Sequence, residues 1–455
     1  MESEDCPLPD LKWLRSFRRR VLNWYEKHAR KLPWRGTGCC AGGNIDPYKV
    51  WVSEIMLQQT TTAAVESFYH RFLERFPNIQ SLAAASESEV LRSWEGLGYY
   101  RRATQLHRAA QVIVSEHNAV FPNTYAEILS LPGIGRYTAG AICSIAYHQR
   151  RPILEANTIR LHARLLAYPE DPAKSAGNKL LWQMAELVLP PVSHPGRING
   201  SRERNAVKRP DRTLDDPVTA RSTAPFPAAV IPGCHAYTVG YSSPGQMNQA
   251  LMDLGSMICT PKSPCCTKCP VAALCRCAEK GLQHVIPALK TEKNVEERTE
   301  AALVIEKNGK YLMMRYPHGV RWAGLWDFPR HELRVSHRGT EARSSGGHGV
   351  TALPSLCASV PPCEKNQAVF EEYCDNIKRL TGYRVVMREQ VGEFRHVVTR
   401  YKITLKVFLA QITGRKNRAK YQTEWVSKQR LADLALSTTG RKIADDIIGF
   451  PVKHV

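Results

Sequence analysis

Four cysteines, Cys259, Cys266, Cys269 and Cys275, fall within 17 residues in the pattern C-x6-C-x2-C-x5-C. Four thiolates in one short loop can ligate a tetrahedral zinc ion or a cubane iron–sulfur cluster. Zinc sites usually pair two C-x2-C knuckles across a longer spacer. This chain has a single C-x2-C at Cys266–Cys269, which favours a [4Fe–4S] cluster. The adjacent Cys265 and Cys277 are then non-ligands.

Two carboxylates stand in settings that suit acid–base chemistry. Glu54, in WVSEIMLQQT, has Trp51, Ile55 and Met56 as helical neighbours. Bulky apolar surroundings raise a carboxyl pKa and fit it to be a general acid, although the same window also reads as a solvated helix face. Glu155, in PILEANTIRLHAR, follows an apolar run and precedes Asn157, a position that also suits a helix cap. Between them lies LPGIGRYTAG (131–140), in which Gly133 and Gly135 permit a tight turn ahead of a helix N-terminus. Free backbone N–H groups and the helix dipole there suit a phosphate, the signature of a helix-hairpin-helix element over 129–142.

These residues need a scaffold. Residues 1–192 show apolar positions at helical spacing, such as Trp51 with Ile55 and Val65 with Phe68 and Phe72. From 193 to 240 repeated prolines, with Gly, Ser and Arg between them, predict a flexible insertion. Helical pattern resumes near Met247 and runs into the cysteine loop, 259–275, closing a core formed by 1–192 and 241–280. A charged stretch within 281–297 reads as a linker. Beyond it Ala301–Ile305 and Tyr311–Arg315 predict strands flanking an Asn308-Gly309 hairpin turn. A Gly/Ser-rich insertion at about 335–365 is followed by a helix over roughly 367–381 and a strand over Tyr401–Ala410. The fold class is multi-domain, an all-α core followed by an α+β unit.

The chain has 455 residues, two or three domains' worth, and a formal charge of +21. That excess points to a polyanionic partner. It is unevenly placed: residues 298–455 hold 27 Lys and Arg against 15 Asp and Glu, whereas 36–192 hold 14 against 13. No apolar run of 18 residues exists, which excludes a membrane-spanning helix. The acidic start MESEDCPLPD resembles neither a signal nor a transit peptide, so an intracellular, reducing location is expected, in cytoplasm or nucleoid, or in the nucleus of a eukaryote.

Together the motifs resemble the MutY-type adenine DNA glycosylases of the helix-hairpin-helix superfamily. LPWR (32–35), DPYKVWVSEIMLQQT (46–60), WEGLGYYRRATQLH (94–107), LPGIGRYTAGAI (131–142), PILEANTIRLHAR (152–164) and NQALMDLGSMICT (248–260) carry the likeness. It implies a base-flipping enzyme that removes adenine opposite 8-oxoguanine or guanine in double-stranded DNA. It implies Glu54 as the proton donor to adenine, Glu155 with Asn157 as the group facing the sugar cation, and Tyr137 as a hydrogen-bonding partner of a catalytic carboxylate. In related endonuclease III type enzymes the position of Tyr137 is a Schiff-base lysine, so a monofunctional glycosylase that leaves an abasic site is expected. Leu32, Trp34, Arg35 and Gln249 match an adenine pocket, and Gln59, Thr60 and Tyr99 match residues that fill the stack and touch the oxidised guanine. The family commonly has Asp-Gly-Asn where this chain has Glu155-Ala156-Asn157.

Residues 298–455 resemble the Nudix-like lesion-recognition domain of that family, through GLWDFPR (324–330) and FRHVVTRYKITL (394–405). Counting back from Gly382, the Nudix-box slots hold Asp375, Asn376, Arg379 and Leu380, so nucleotide hydrolysis is not expected. Where the family's recognition loop often reads Phe-Ser-His, this chain has Val398-Thr399-Arg400, and Thr399 and Arg400 become the candidate lesion contacts. A monomer on DNA is expected. An endonuclease III type glycosylase/lyase, a catalytically impaired mispair binder and a Nudix hydrolase are the competing readings.

Overall fold

In a computed structural model the described residues are 8–35, 45–191, 243–288, 295–333, 364–398 and 400–449. The expected insertions at 193–240 and about 335–365, and Thr399, lie outside them or nearly so. The chain begins with α1 (Leu11–His28), α2 (Pro47–Leu57), α3 (Thr62–Arg75), α4 (Ile79–Ala84) and α5 (Glu87–Ser93). Next come α6 (Arg101–Glu116), α7 (Tyr125–Ser130), α8 (Arg136–Tyr147), α9 (Ala156–Leu166) and α10 (Ser175–Leu187). After the first insertion follow α11 (Pro244–Asp253) and the short α12 (Arg276–Glu279), and α13 (Glu364–Thr381) belongs to the α+β region.

The chain divides into two compact units. Residues 1–50 and 139–288 form one, and 51–138 and 289–455 the other. Side chains account for the second grouping. Glu95, just past α5, accepts from Arg441 Nε at 2.7 Å and Nη2 at 3.3 Å. Glu87 lies 3.8 Å from Arg315. Gly324 (φ +83°) sits so close to Leu91 that a Cβ there would come within 2.9 Å of its Cδ1.

In the first unit α1 is amphipathic by spacing. Leu14, Phe17, Val21, Trp24 and Tyr25 face inward at three- and four-residue intervals, and Asp10 caps the helix by accepting from Trp13 N at 2.7 Å. Their stripe packs with Leu161, Leu165, Leu181, Met184, Leu251 and Leu254 in one core.

In the second unit seven strands form a mixed sheet: β1 (Glu296–Lys307), β2 (Lys310–Arg315), β3 (Trp326–Asp327), β4 (Arg330–Glu332), β5 (Val385–Val398), β6 (Tyr401–Ile412) and β7 (Gln422–Ser427). The order is β3-β2-β1-β6-β5, with β4 pairing β1 and β7 pairing β2. The expected hairpin turn forms at Asn308 (φ +53°) and Gly309 (φ +69°), the left-handed pair that a two-residue hairpin requires. β1 and β6 run parallel. β1 buries six consecutive residues because both faces of the sheet are covered. One face packs Val304, Trp326, Phe328 and Leu436, and the other packs Leu303 and Ile305 against Tyr373 and Ile377 of α13.

Candidate active site and cysteine loop

Within the second unit, Glu54 lies in α2 between fully buried neighbours: Trp51 and Met56 are 0% exposed, Ile55 is 3%, and Glu54 itself is 5%. The apolar environment inferred from the sequence is present, and the solvated-face alternative is not. Tyr137, in the first turn of α8, donates its hydroxyl to Glu54 Oε2 at 2.8 Å. A buried carboxylate needs such a partner. The contact fixes the carboxyl orientation.

The hairpin stands between α7 and α8. Gly133 has φ +77°, and a Cβ there would lie 2.6 Å from the Gln105 Cβ, so only glycine fits. Gly135 differs from the expectation. It has no left-handed φ and nothing within 4 Å of a would-be Cβ, so the turn itself does not require it; it leaves open, exposed backbone at the start of α8.

Gln59 (φ +57°) and Tyr99 (φ +48°) are both exposed and both left-handed. Such conformations cost non-glycine residues on the order of 1–3 kcal/mol each and collect where a side chain must be aimed. Arg102, 9% exposed, supports both turns. Its Nη1 donates to the carbonyls of Ile55 (3.0 Å), Met56 (2.8 Å) and Gln58, and its Nη2 to Leu97 O (3.3 Å), Gly98 O (3.1 Å) and Thr60 Oγ1 (3.1 Å). Burial lowers its pKa to about 10, so it stays charged at neutral pH.

In the first unit Glu155 is the N-cap of α9. Oε2 accepts from Asn157 N (2.8 Å) and Nδ2 (3.2 Å), and Oε1 from Thr158 N (3.0 Å). Thr158 Oγ1 accepts from Glu155 N at 2.9 Å, completing a capping box. The capping role read from the sequence is therefore real, and it holds the carboxylate in a fixed pose. Burial raises the Glu155 pKa. The N–H donors of Asn157 and Thr158, and the charge on Arg160, oppose that shift.

Arg160 joins this cap to the cysteine loop. It donates to Asn157 Oδ1 (2.9 Å), Gly255 O (2.6 Å), Cys259 O (2.7 Å) and Ala156 O (3.4 Å). Gly255 lies in a π-helical turn, Leu254–Ile258, and a Cβ there would stand 2.8 Å from the Asn157 Cβ. One turn further along α9, Arg164 donates to Cys259 Sγ (3.3 Å), Thr260 O (2.7 Å), Pro261 O (3.1 Å) and Ile286 O (2.8 Å).

Cys259, Cys266, Cys269 and Cys275 line one cavity with Leu161, Arg164 and Val271. The described cysteines are free thiols. Cys277 is fully buried in the surrounding core, and Cys265 lies by Thr267; neither lines the cavity. Among the described residues no three His, Cys, Asp or Glu are grouped to hold a metal ion. The four cysteines are arranged around a space instead.

The residues carried to an adenine pocket have mixed fates. Trp34 is buried and Leu32 half-buried. Gln249 Oε1 accepts from Tyr25 OH at 2.9 Å. Arg35 binds the fully buried Asp253 in bidentate fashion, Nη1 to Oδ2 at 2.7 Å and Nη2 to Oδ1 at 3.0 Å. Arg30 Nε joins the same carboxylate at 2.6 Å. A buried carboxylate demands such cations, so Arg35 anchors the 32–35 turn. Arg400, in the second unit, is exposed and pairs with Glu296 at 3.1 Å and with Tyr401 OH at 2.9 Å. Sequence reading missed Arg102, Arg160, Arg164 and Asp253. The available signal was four charged residues in otherwise apolar helical stripes.

Residues 52–186 match the helix-hairpin-helix family model described as an HhH-GPD superfamily base excision DNA repair protein, and 300–446 match a NUDIX domain. The chain is 29% identical over 464 residues to an adenine DNA glycosylase of Mus musculus, spanning 95% of this chain and 78% of that protein. It is 27% identical to the Homo sapiens adenine DNA glycosylase over 95% of this chain and 74% of that one. An adenine DNA glycosylase of Buchnera aphidicola (subsp. Baizongia pistaciae) is 32% identical, with 69% of this chain and 73% of that protein covered. With the buried Glu54–Tyr137 pair on a helix-hairpin-helix scaffold and a Nudix-type sheet behind it in sequence, this likeness places the chain in the MutY family of adenine DNA glycosylases, the adenine-specific DNA N-glycosylases of base excision repair.

Proposed function

We propose that the enzyme excises adenine mispaired with 8-oxoguanine or guanine, using Glu54 as proton donor and Glu155 as the carboxylate that stabilises the sugar cation. The observation that carries this reading is the Tyr137–Glu54 hydrogen bond of 2.8 Å around a carboxyl that is only 5% exposed. A carboxyl removed from water keeps its proton more readily and gives it up when a purine nitrogen accepts it. Cleavage of the N-glycosidic bond leaves positive charge on the sugar, which an ionised carboxylate can stabilise or trap. Glu155 is pre-oriented for that role by three donors, so no reorganisation is needed as charge develops.

The hydroxyl of Tyr137 is committed to Glu54 and cannot form a Schiff base, which supports a monofunctional enzyme that leaves an abasic site. Cys259, Cys266, Cys269 and Cys275 would hold a [4Fe–4S] cluster, and the donor set fits: four thiols around one cavity, with the Arg164 cation 3.3 Å from the Cys259 sulfur. That group would brace the loop that Arg160 ties to the Glu155 cap.

Single-turnover excision by Glu155→Gln on duplexes with A opposite 8-oxoguanine and A opposite guanine tests the reading. Loss of excision with mispair binding retained is expected. A rate near that of the unaltered enzyme overturns the role of Glu155.

A further inference from the structure

The β5–β6 ladder has two ends. Val398 pairs with Tyr401 at the turn that the family resemblance assigns to lesion reading, and Val385 pairs with Ile412 at the other. At about 3.3 Å per residue the thirteen-residue separation along β5 amounts to roughly 40 Å. The far end carries an unusual concentration of charge. Residues 379–387 and 413–421 contain six cations, Arg379, Arg384, Arg415, Lys416, Arg418 and Lys420, and no Asp or Glu. All six are exposed, and among the described residues none is in an ion pair.

The two segments are built into one surface. Thr413 N donates to Arg384 O (3.0 Å), Asn417 N to Gly382 O (2.8 Å), Lys420 N to Arg379 O (3.0 Å) and Tyr421 N to Leu380 O (3.0 Å). Gly382, at φ +78°, receives the loop so closely that a Cβ would meet Asn417 O at 2.4 Å. Lys416 and Lys420 lie 5.8 and 5.9 Å from the Tyr383 and Tyr421 ring centres. The nearby Glu424 is paired with Arg430 at 3.0 Å. Exposed cations held this close repel one another, a polyanion relieves that repulsion, and a pre-ordered loop binds one at little entropic cost.

We infer that this surface is a second duplex-DNA backbone contact, gripping phosphates about one helical turn from the mispair and independently of it. Laid along the duplex axis, roughly 40 Å spans about 12 base pairs at about 3.4 Å each. The contact is sequence-neutral and holds the enzyme on undamaged flanking duplex. The lesion-reading end of the ladder rests on the function proposed above; the cation cluster does not.

The test uses the full chain carrying R415Q, K416Q, R418Q and K420Q together, all exposed loop positions. Binding is measured against salt on a 15-base-pair and a 40-base-pair duplex with a central mispair, alongside single-turnover excision and melting temperature. On the long duplex the slope of log K against log [salt] is expected to fall by about 2 to 4, close to 0.9 for each phosphate no longer neutralised. On the short duplex it should stay as in the unaltered protein, and excision at saturation and melting temperature should not move. An unchanged slope on the long duplex overturns the inference while leaving the enzymatic reading intact. Equal losses on both duplexes overturn the flanking contact. An unchanged duplex slope with lost retention of single-stranded RNA reassigns the surface and also overturns it. Failure of the unaltered protein to release adenine counts against the enzymatic reading alone.

Discussion

Replacing Arg160 by Met should disconnect the Glu155 cap from the cysteine loop. Arg160 is 8% exposed. Its three shortest hydrogen bonds, 2.6, 2.7 and 2.9 Å, reach Gly255 O, Cys259 O and Asn157 Oδ1. Each charge-assisted bond contributes about 1.5–3 kcal/mol net, and the three are not additive because one guanidinium makes them all. Methionine keeps most of the apolar stem but leaves three acceptors unsatisfied, so a loss of about 3–5 kcal/mol is expected, the range for removing one partner of a buried charged network. At roughly 2–4 °C per kcal/mol for a unit of this size, the melting temperature should fall by about 6–20 °C. There is a second, independent readout. The Arg160 charge opposes the upward shift of the Glu155 pKa, so its removal should push that pKa higher still. If Glu155 acts as a carboxylate, the acid limb of the single-turnover rate must move to higher pH in the variant. Arg160→Lys, which keeps the charge but not the fork, should restore the pH profile more than the stability. A methionine variant within about 1 kcal/mol of the unaltered protein, with an unmoved acid limb, would refute this reasoning.

Three further perturbations follow from the same geometry. His162 is fully buried, with no hydrogen-bond partner for either ring nitrogen among the described residues, and burial lowers its pKa to about 4. The unfolded chain takes up the proton first, so stability should fall as pH drops from about 6.5 to about 4, by on the order of 3 kcal/mol; in denaturant titrations His162→Leu should remove that dependence and add about 1–3 kcal/mol at neutral pH. Arg102→Met should release the left-handed turns at Gln59 and Tyr99 and reduce mispair discrimination in gel-shift titrations by about tenfold, the equivalent of one 1.4 kcal/mol contact. Glu95→Gln should weaken the bridge to Arg441, whose side chains are 8% and 17% exposed, by about 1–3 kcal/mol, and a double-mutant cycle with Arg441→Met should show that the two losses are not additive.

The parts legible in the sequence were those with local causes. Four cysteines in one short loop, the Asn308-Gly309 turn and the glycine of the hairpin each act within a few residues of themselves, and each is found where expected. Glu54 was legible because its apolar neighbours lie within three residues of it. The rest depended on partners distant along the chain. Arg35 reads as a base-contacting cation until Asp253, 218 residues on, is seen to hold it. Arg102, Arg160 and Arg164 stand as charged residues in apolar helical stripes, but the backbone carbonyls that each is buried against lie elsewhere in the chain. The side-chain contacts that tie 51–138 to the C-terminal region, such as Glu95 with Arg441, were also hidden, because the partners lie far apart in the sequence.

The most direct test of the central claim is single-turnover adenine release by Glu54→Gln, beside the unaltered enzyme, with and without alkali. Glutamine keeps the volume and an acceptor for the Tyr137 hydroxyl but cannot donate a carboxyl proton. The unaltered enzyme should release adenine and show strand breaks only after alkali. The variant should bind the mispair as tightly and release adenine about 10²- to 10⁴-fold more slowly, the usual worth of general acid catalysis. A variant rate within tenfold of the unaltered enzyme, or strand cleavage without alkali, would contradict the account.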